Sequence, residues 1–446
     1  MRITSPLSLD SSAASYEQKS FIHNPITALS QIGKEAIVPY LITRLTLLLV
    51  GLLATFYILP LQSNLPILPS HAVQIHFPQA LWLMWERFDS GFYLDLASNG
   101  YWSASTLHTA SNWAFYPLYP LLMHVIGLLF GGTFNSFRLA GLLISNISAL
   151  AAVVYLYLLI HKDFNHRVAS RTVFYLALFP MSFYLSAIYS ESLFLMLAVA
   201  SLYYARKQSW WLAGLCGGLA ALTHAQGVLL LLPIAWEYLR VTSNSYAPLP
   251  TPLPKPLIAR ARTWLRYWLS GLLLAAHDLR NWVAGSALLL IPAGLFAFML
   301  YAKYKTGDLL ATTHTEQWGW GRQLSYPWRL LIYFLRHPIL GEPLNWNFWV
   351  FNIVLAIVFL GCIVWAFRRL PAIYALYTLG MVILPLSSSQ LDAIGRYYLL
   401  VFPVFLLLAL WTDSKNQSAH AFVIAICTSL QALLMVFFIL GLPAIA

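Results

Sequence analysis

Long apolar runs separated by short polar breaks dominate this chain, and that alternation predicts helices that cross a membrane. Ile37 to Leu59, Leu139 to Ile160, Val283 to Leu300, Trp349 to Phe367 and Phe422 to Leu440 approach or exceed the ~20 residues that cover a ~30 Å hydrocarbon layer. Shorter apolar stretches lie between them, near Phe115–Phe130, Phe174–Ala187, Leu193–Ala205, Leu212–Leu222, Val228–Leu239, Ala372–Leu386 and Tyr398–Trp411. The alternating ~10-residue segments of a membrane β-barrel are absent from the sequence. The pattern predicts an all-α polytopic membrane protein with roughly 11 to 13 transmembrane helices.

The polar breaks suggest an organisation. Residues 1–35 are polar and Ser-rich and precede the first apolar run, which reads as a cytosolic tail rather than a cleaved leader. Residues 36–446 then form a single transmembrane domain. Within it, 61–112 is a large first outer loop, 240–281 a basic cytosolic loop and 301–347 a second large outer loop. Apolar and aromatic positions from Ala80 to Tyr101 predict a helix lying in the interface, as does Trp264 to Ala276. Cations in 161–171 and at Arg206 and Lys207 place those turns in the cytosol. Two full crossings between Phe115 and Ile160 would put 161–171 outside instead, so charge and parity conflict there.

Composition narrows the class. With 60% hydrophobic and 9% charged residues, a large soluble fold is excluded. The net charge of +11 is accounted for by basic cytosolic loops, so nucleic acid is not an expected partner and membrane lipids are. Cys216, Cys362 and Cys427 sit inside apolar runs without metal or disulfide spacing.

Only fifteen acidic residues exist, so candidate bases can be enumerated. Eight of them (Glu86, Asp89, Asp95, Glu191, Asp308, Glu316, Glu342 and Asp392) fall on the expected outer side. A carboxylate near hydrocarbon is costly without a partner or a task. The densest group is in Trp85 to Pro120, directly between two apolar segments. If 82–97 is helical, Glu86, Asp89 and Tyr93 share a face, with Asp95 turned away. Asp89, beside Arg87 and Ser90, is then placed to stay ionised and accept a proton; solvation of an interfacial helix is the plainer alternative.

Arg87-Phe88-Asp89-Ser90-Gly91-Phe92-Tyr93-Leu94 with Gly100-Tyr101, followed by Ala114-Phe115-Tyr116-Pro117-Leu118-Tyr119-Pro120, resembles the PIG-V family of mannosyltransferases. Tyr189-Ser190-Glu191-Ser192-Leu193-Phe194, Gly214 to Gly227, Gly307-Asp308, Arg396-Tyr397 and Phe402-Pro403 also fit that family. The resemblance spans about residues 80 to 412, and the first block is its most specific part. It implies a GT-C-like bundle and a polyprenyl- or dolichyl-phosphate mannose donor. It also implies a lipid or glycan acceptor, as in GPI assembly, and an essential aspartate at Asp89. His224 stands where the family carries arginine, a departure that bears on how the donor phosphate is held.

From this resemblance the expected activity is inverting hexosyl transfer with Asp89 as general base, the active site lying on the periplasmic or luminal side. The membrane would be the plasma membrane of a prokaryote or the endoplasmic reticulum of a eukaryote. Expected substrate- and donor-binding residues are Arg87, Tyr93, Tyr119, Glu191, His224, Asp308, Arg322, Arg396 and Tyr397. Cations stabilise a departing phosphate, so Arg396, Arg322, Lys303 and Lys305 are the candidates for that task. No cofactor and no metal are expected, because a sugar on a lipid phosphate is already activated and no D-x-D motif is present. Each residue has a plainer reading: Glu191 as a helix cap, His224 as a satisfied turn residue, Arg396 as a snorkelling arginine. Trp318, Trp320, Trp328 and Trp346 read either as an interfacial belt or as sugar-stacking rings. A lipid-linked-sugar flippase or a non-catalytic membrane subunit are the competing functions; the gathering of charges at one edge favours the enzyme.

Overall fold

The computed structural model describes residues 25–58, 79–246, 257–336, 343–391, 393–413 and 417–442. Most of the expected tail, 59–60, 61–78 of the first outer loop, 247–256 of the basic loop, Glu342 and Asp392 lie outside the described residues. Helices make up the architecture; among the described residues the one extended pairing is an isolated bridge between Leu324 and Ser388.

In chain order the helices are α1 (Thr27–Ile58), α2 (Ala80–Leu83), α3 (Ser90–Asn99), α4 (Leu118–Leu129), α5 (Phe134–Asp163) and α6 (His166–Leu178). Next come α7 (Glu191–Arg206), α8 (Trp210–Ala221), α9 (Leu231–Tyr246), α10 (Leu257–Ala275), α11 (Leu279–Thr306) and α12 (Ala311–Gly319). The last are α13 (Arg329–Arg336), α14 (Pro343–Arg369), α15 (Ala372–Leu386), α16 (Ile394–Leu399), α17 (Phe402–Asp413) and α18 (Gln417–Leu440). Five of these, α1, α5, α11, α14 from Val350 onward and α18, are long and apolar enough to cross a membrane. The helices α4, α8, α15 and α17 are apolar but shorter. The all-helical, multi-pass membrane architecture expected from the apolar runs is what the chain forms.

Its centre is α7, buried on nearly every side between α5 and α8. Between apolar helices in lipid there is no hydrophobic drive to associate, so close backbone approach has to supply contact. Glycines supply it along α8 and α11. A Cβ on Gly214 would lie 2.0 Å from the Ala287 carbonyl oxygen, and one on Gly294 would lie 2.2 Å from that of Gly218.

The helix expected over 82–97 does not form as one piece. It stops after Leu83 and restarts at Ser90, with Phe88 in the left-handed region at φ +51°. Glu86 and Asp89 therefore diverge instead of sharing a face: Glu86 pairs with Arg138 of α5, while Asp89 turns toward α16. Similarly, Phe174–Ala187 is not one segment. α6 ends at Leu178 because Phe179 precedes Pro180 and takes an extended conformation, which prolines impose on the residue before them. The stretch to Ser190 runs as a short 3-10 turn and bends. The stretch Tyr398–Trp411 likewise divides between α16 and α17, and the second outer loop contains α12, α13 and the start of α14.

Candidate functional site

The broken backbone on either side of α2 and α3 makes the site. Asp89 is the residue that opens α3, and its backbone N–H donates to the Tyr189 hydroxyl at 3.1 Å. That hydroxyl in turn donates to the Arg87 carbonyl at 2.9 Å, and the Ile188 N–H donates to Trp85 O at 3.3 Å. The Tyr93 and Ser190 hydroxyls are 2.8 Å apart. The irregular stretch 179–190 thus satisfies the backbone groups that the gap between α2 and α3 leaves free, and fixes Asp89 in position.

The Asp89 side chain accepts from Arg396 Nη1 through Oδ2 at 2.6 Å. Arg396 Nε also lies 3.1 Å from Glu191 Oε1. Its N–H is not aimed along that line, so the contact is ionic rather than a hydrogen bond, and Glu191 Oε2 has no hydrogen-bond partner among the described residues. Two carboxylates therefore share one guanidinium. The Asp89 side chain keeps 25% of its surface exposed, against 7% for Arg396 and 1% for Glu191. Asp89 is the most exposed of the three. Three tyrosine rings surround the guanidinium, with its carbon 5.2 Å from the Tyr189 centroid, 5.3 Å from Tyr397 and 5.7 Å from Tyr184.

Both partners of this pair adjoin a non-glycine residue in a left-handed conformation. Phe88 directly precedes Asp89, and Ala393, at φ +61°, lies three residues before Arg396. The third such residue, Gln208, follows the end of α7. Left-handed geometry at a bulky residue costs on the order of 1–3 kcal/mol and persists only where the surroundings over-determine it.

Beside this cluster, Arg322 donates to Glu316 Oε2 at 3.3 Å and approaches the Tyr397 hydroxyl at 3.5 Å. Burial pushes the Glu316 carboxyl above its ordinary value, and the Arg322 charge opposes that shift. The segment carrying Arg322 is tied to the approach to α16: Ser325 N–H donates to Ser387 O and Ser389 N–H to Gln323 O, each at 2.8 Å.

The structure brings together Asp89, Tyr93, Glu191, Arg396, Tyr397 and Arg322. His224 joins their edge, its ring 5.6 Å from Tyr397 and 5.5 Å from Phe194, with Nδ1 buried and without a hydrogen-bond partner among the described residues. Tyr119 supports from below: its ring packs edge-on against Tyr93 at 5.1 Å, while its hydroxyl bonds Ser145 at 2.8 Å and the Gly141 carbonyl at 3.1 Å. Two residues have other work. Arg87 donates to the carbonyls of Ile439, Glu86 and Leu83, clamping the loop to α18. Asp308 accepts from Leu310 N–H and pairs with His314 at 2.6 Å, holding the turn before α12. Lys303 and Lys305 are exposed near the end of α11. Among the described residues no group of three or more His, Cys, Asp or Glu side chains is arranged to hold a metal ion. Tyr189 was missed as a positioning residue, although it begins the Tyr189–Phe194 motif; a phenol that braces a loop leaves no mark in the sequence beyond its identity.

A family model described as dolichyl-phosphate-mannose-protein mannosyltransferase matches residues 114–261 of the chain. Among solved structures, the apo oligosaccharyltransferase of Archaeoglobus fulgidus is similar at 13% identity and a TM-score of 0.39, covering 91% of this chain and 56% of that one. The oligosaccharyltransferase AglB of the same organism, in complex with an inhibitory peptide and a dolichol-phosphate, is similar at 14% identity and a TM-score of 0.40, with the same coverage. The chain thus spans about half the length of the structures it resembles. No curated protein matches it in sequence.

Proposed function

We propose that this protein is an integral-membrane glycosyltransferase of the GT-C type. In this reading it moves a hexose, mannose first among the candidates, from a polyprenyl- or dolichyl-phosphate to a hydroxyl of a lipid or glycan. The observation that carries the reading is the carboxylate of Asp89, held at the exposed edge of a buried Asp89–Arg396–Glu191 cluster. The match of residues 114–261 to a mannosyltransferase family supports the same class.

The roles follow from how the charges are paired. Asp89 is the base: the acceptor hydroxyl becomes acidic as its oxygen bonds to the anomeric carbon, and its proton passes to the carboxylate. The bond from that carbon to the phosphate oxygen breaks, and the electron pair leaves with the lipid phosphate. Arg396 is already shared by two carboxylates, so its task is to orient Asp89. Arg322, paired with Glu316 at 3.3 Å, is the better donor to the leaving phosphate, where a planar fork suits the oxygens. Base and leaving group on opposite faces of the sugar give inversion. The chemistry asks for no cofactor, and the site belongs on the periplasmic or luminal side.

The test is transfer by the purified protein in sealed proteoliposomes, supplied with polyprenyl-phosphate mannose and a membrane extract as acceptor source. Release of polyprenyl phosphate together with a glycoside of inverted anomeric configuration supports the reading. Movement of intact lipid-linked sugar across the bilayer, without release of lipid phosphate, would replace it with the flippase.

A further inference from the structure

An aromatic shelf borders the charged cluster and stands apart from the proton and phosphate chemistry. Phe92 lies one helical turn after Asp89, on the same side of α3. Its ring centroid is 4.9 Å from Phe115, 5.5 Å from Trp320 and 6.1 Å from Trp102. Trp320 stands two residues before Arg322, which reaches Tyr397, which lies against Arg396, which holds Asp89. The contacts close into a ring, so the aromatic cluster adjoins the charged one.

Trp102 is 36% exposed, yet it is pinned. Its indole N–H donates to Asp95 Oδ2, and its backbone N–H donates to Asn112 Oδ1 at 3.0 Å. Asn112 Nδ2 donates back to Asp95 Oδ2 at 3.1 Å and to Gly100 O at 3.0 Å, and Asn99 Nδ2 donates to Asp95 Oδ1 at 2.8 Å. A belt tryptophan at a membrane surface sits at headgroup level with its polar end toward water. Here the N–H is held by the Asp95 carboxylate at the surface, which restrains the ring and leaves its exposed face open to a ligand. Because the ring is already ordered, stacking against it costs little further entropy.

We infer that Phe92, Trp102 and Trp320 form a saccharide subsite, on which a hexopyranose ring of the acceptor stacks with its hydroxyls toward Asp89. Asp95 is a positioning residue that fixes Trp102. The inference rests on the glycosyltransferase reading for its choice of acceptor over donor, since the base contacts the attacking hydroxyl. A peptide serine or a bare lipid alcohol has no ring to fill the shelf.

The experiment measures binding of methyl α-D-mannopyranoside and methyl α-D-glucopyranoside to the full chain in nanodiscs by saturation-transfer NMR. Saturable binding by the parent protein is expected, with Trp102→Ala weakening it about three- to tenfold, the size of one aromatic contact. Asp95→Asn should weaken it less, and Trp102→Phe, which keeps a ring, should recover most of the loss. No saturable signal from either glycoside with the parent, or equal affinity in Trp102→Ala and the parent, overturns the subsite. Phosphate release, measured separately, reports on the enzyme reading: its persistence in the parent alongside absent glycoside binding removes the shelf and leaves the transferase.

Discussion

Arg396→Met strands a charge, and the size of the effect can be worked from the geometry. Arg396 lies between Asp89 at 2.6 Å and Glu191 at 3.1 Å, with 7% of its side chain exposed. Asp89 is a quarter exposed and water can take the place of its lost partner. Glu191 is 1% exposed and has no such recourse. Removing one member of a buried ion pair costs about 3–5 kcal/mol, most of it the uncompensated charge left behind. Glu191→Gln added to Arg396→Met removes that charge and should return roughly 1–3 kcal/mol. The two substitutions are therefore strongly non-additive. Thermal unfolding in nanodiscs, followed by tryptophan fluorescence, should rank the proteins parent, double variant, Arg396→Met. An Arg396→Met midpoint equal to that of the parent would refute the buried cluster. So would a double variant less stable than Arg396→Met, because the glutamate would then not be the stranded group.

Other substitutions separate structure from chemistry. Glu86→Gln breaks the pair with Arg138, both side chains mostly buried, and should lower stability by about 1–3 kcal/mol while leaving sugar transfer intact; lost transfer at unchanged stability would place Glu86 in the site. Gly218→Val should force α8 from α11, because a Cβ there meets the Leu290 carbonyl oxygen at 2.5 Å, and the variant should elute as aggregate on size exclusion. Arg322→Ala should raise the donor concentration needed for half-maximal rate about tenfold or more, the scale of a lost charge-assisted hydrogen bond, and leave acceptor dependence unchanged. Cysteine at exposed Ser105 should react with an impermeant thiol reagent from the outer face, and cysteine at exposed Ser245 from the cytosolic face; the reverse pattern would invert the topology.

What the sequence carried and what it hid divide along physical lines. Apolar runs must be helical in hydrocarbon, where every backbone group needs an internal partner, so the spans at 139–160 and 422–440 were legible to within a few residues. The break at 84–89 was not, because Phe88 adopts a conformation that its own chemistry disfavours and that distant contacts impose. Asp89 stood out by its place among few acids. Arg396 stood out as a cation, but its pairing with Asp89 did not: it is 307 residues away, and nothing local distinguishes an arginine that orients a carboxylate from one that meets a phosphate. Arg87 shows the converse, a cation two residues before Asp89 whose guanidinium is spent on backbone carbonyls.

The account stands on Asp89 as the group that takes the proton, and Asp89→Asn tests it with little change in shape. With polyprenyl-phosphate mannose and the same acceptor extract, the rate of lipid-phosphate release under single-turnover conditions should fall about 10²- to 10⁴-fold. The melting profile and donor affinity should stay close to those of the parent. Release at the parental rate would contradict the account and return Asp89 to the role of a solvated loop residue.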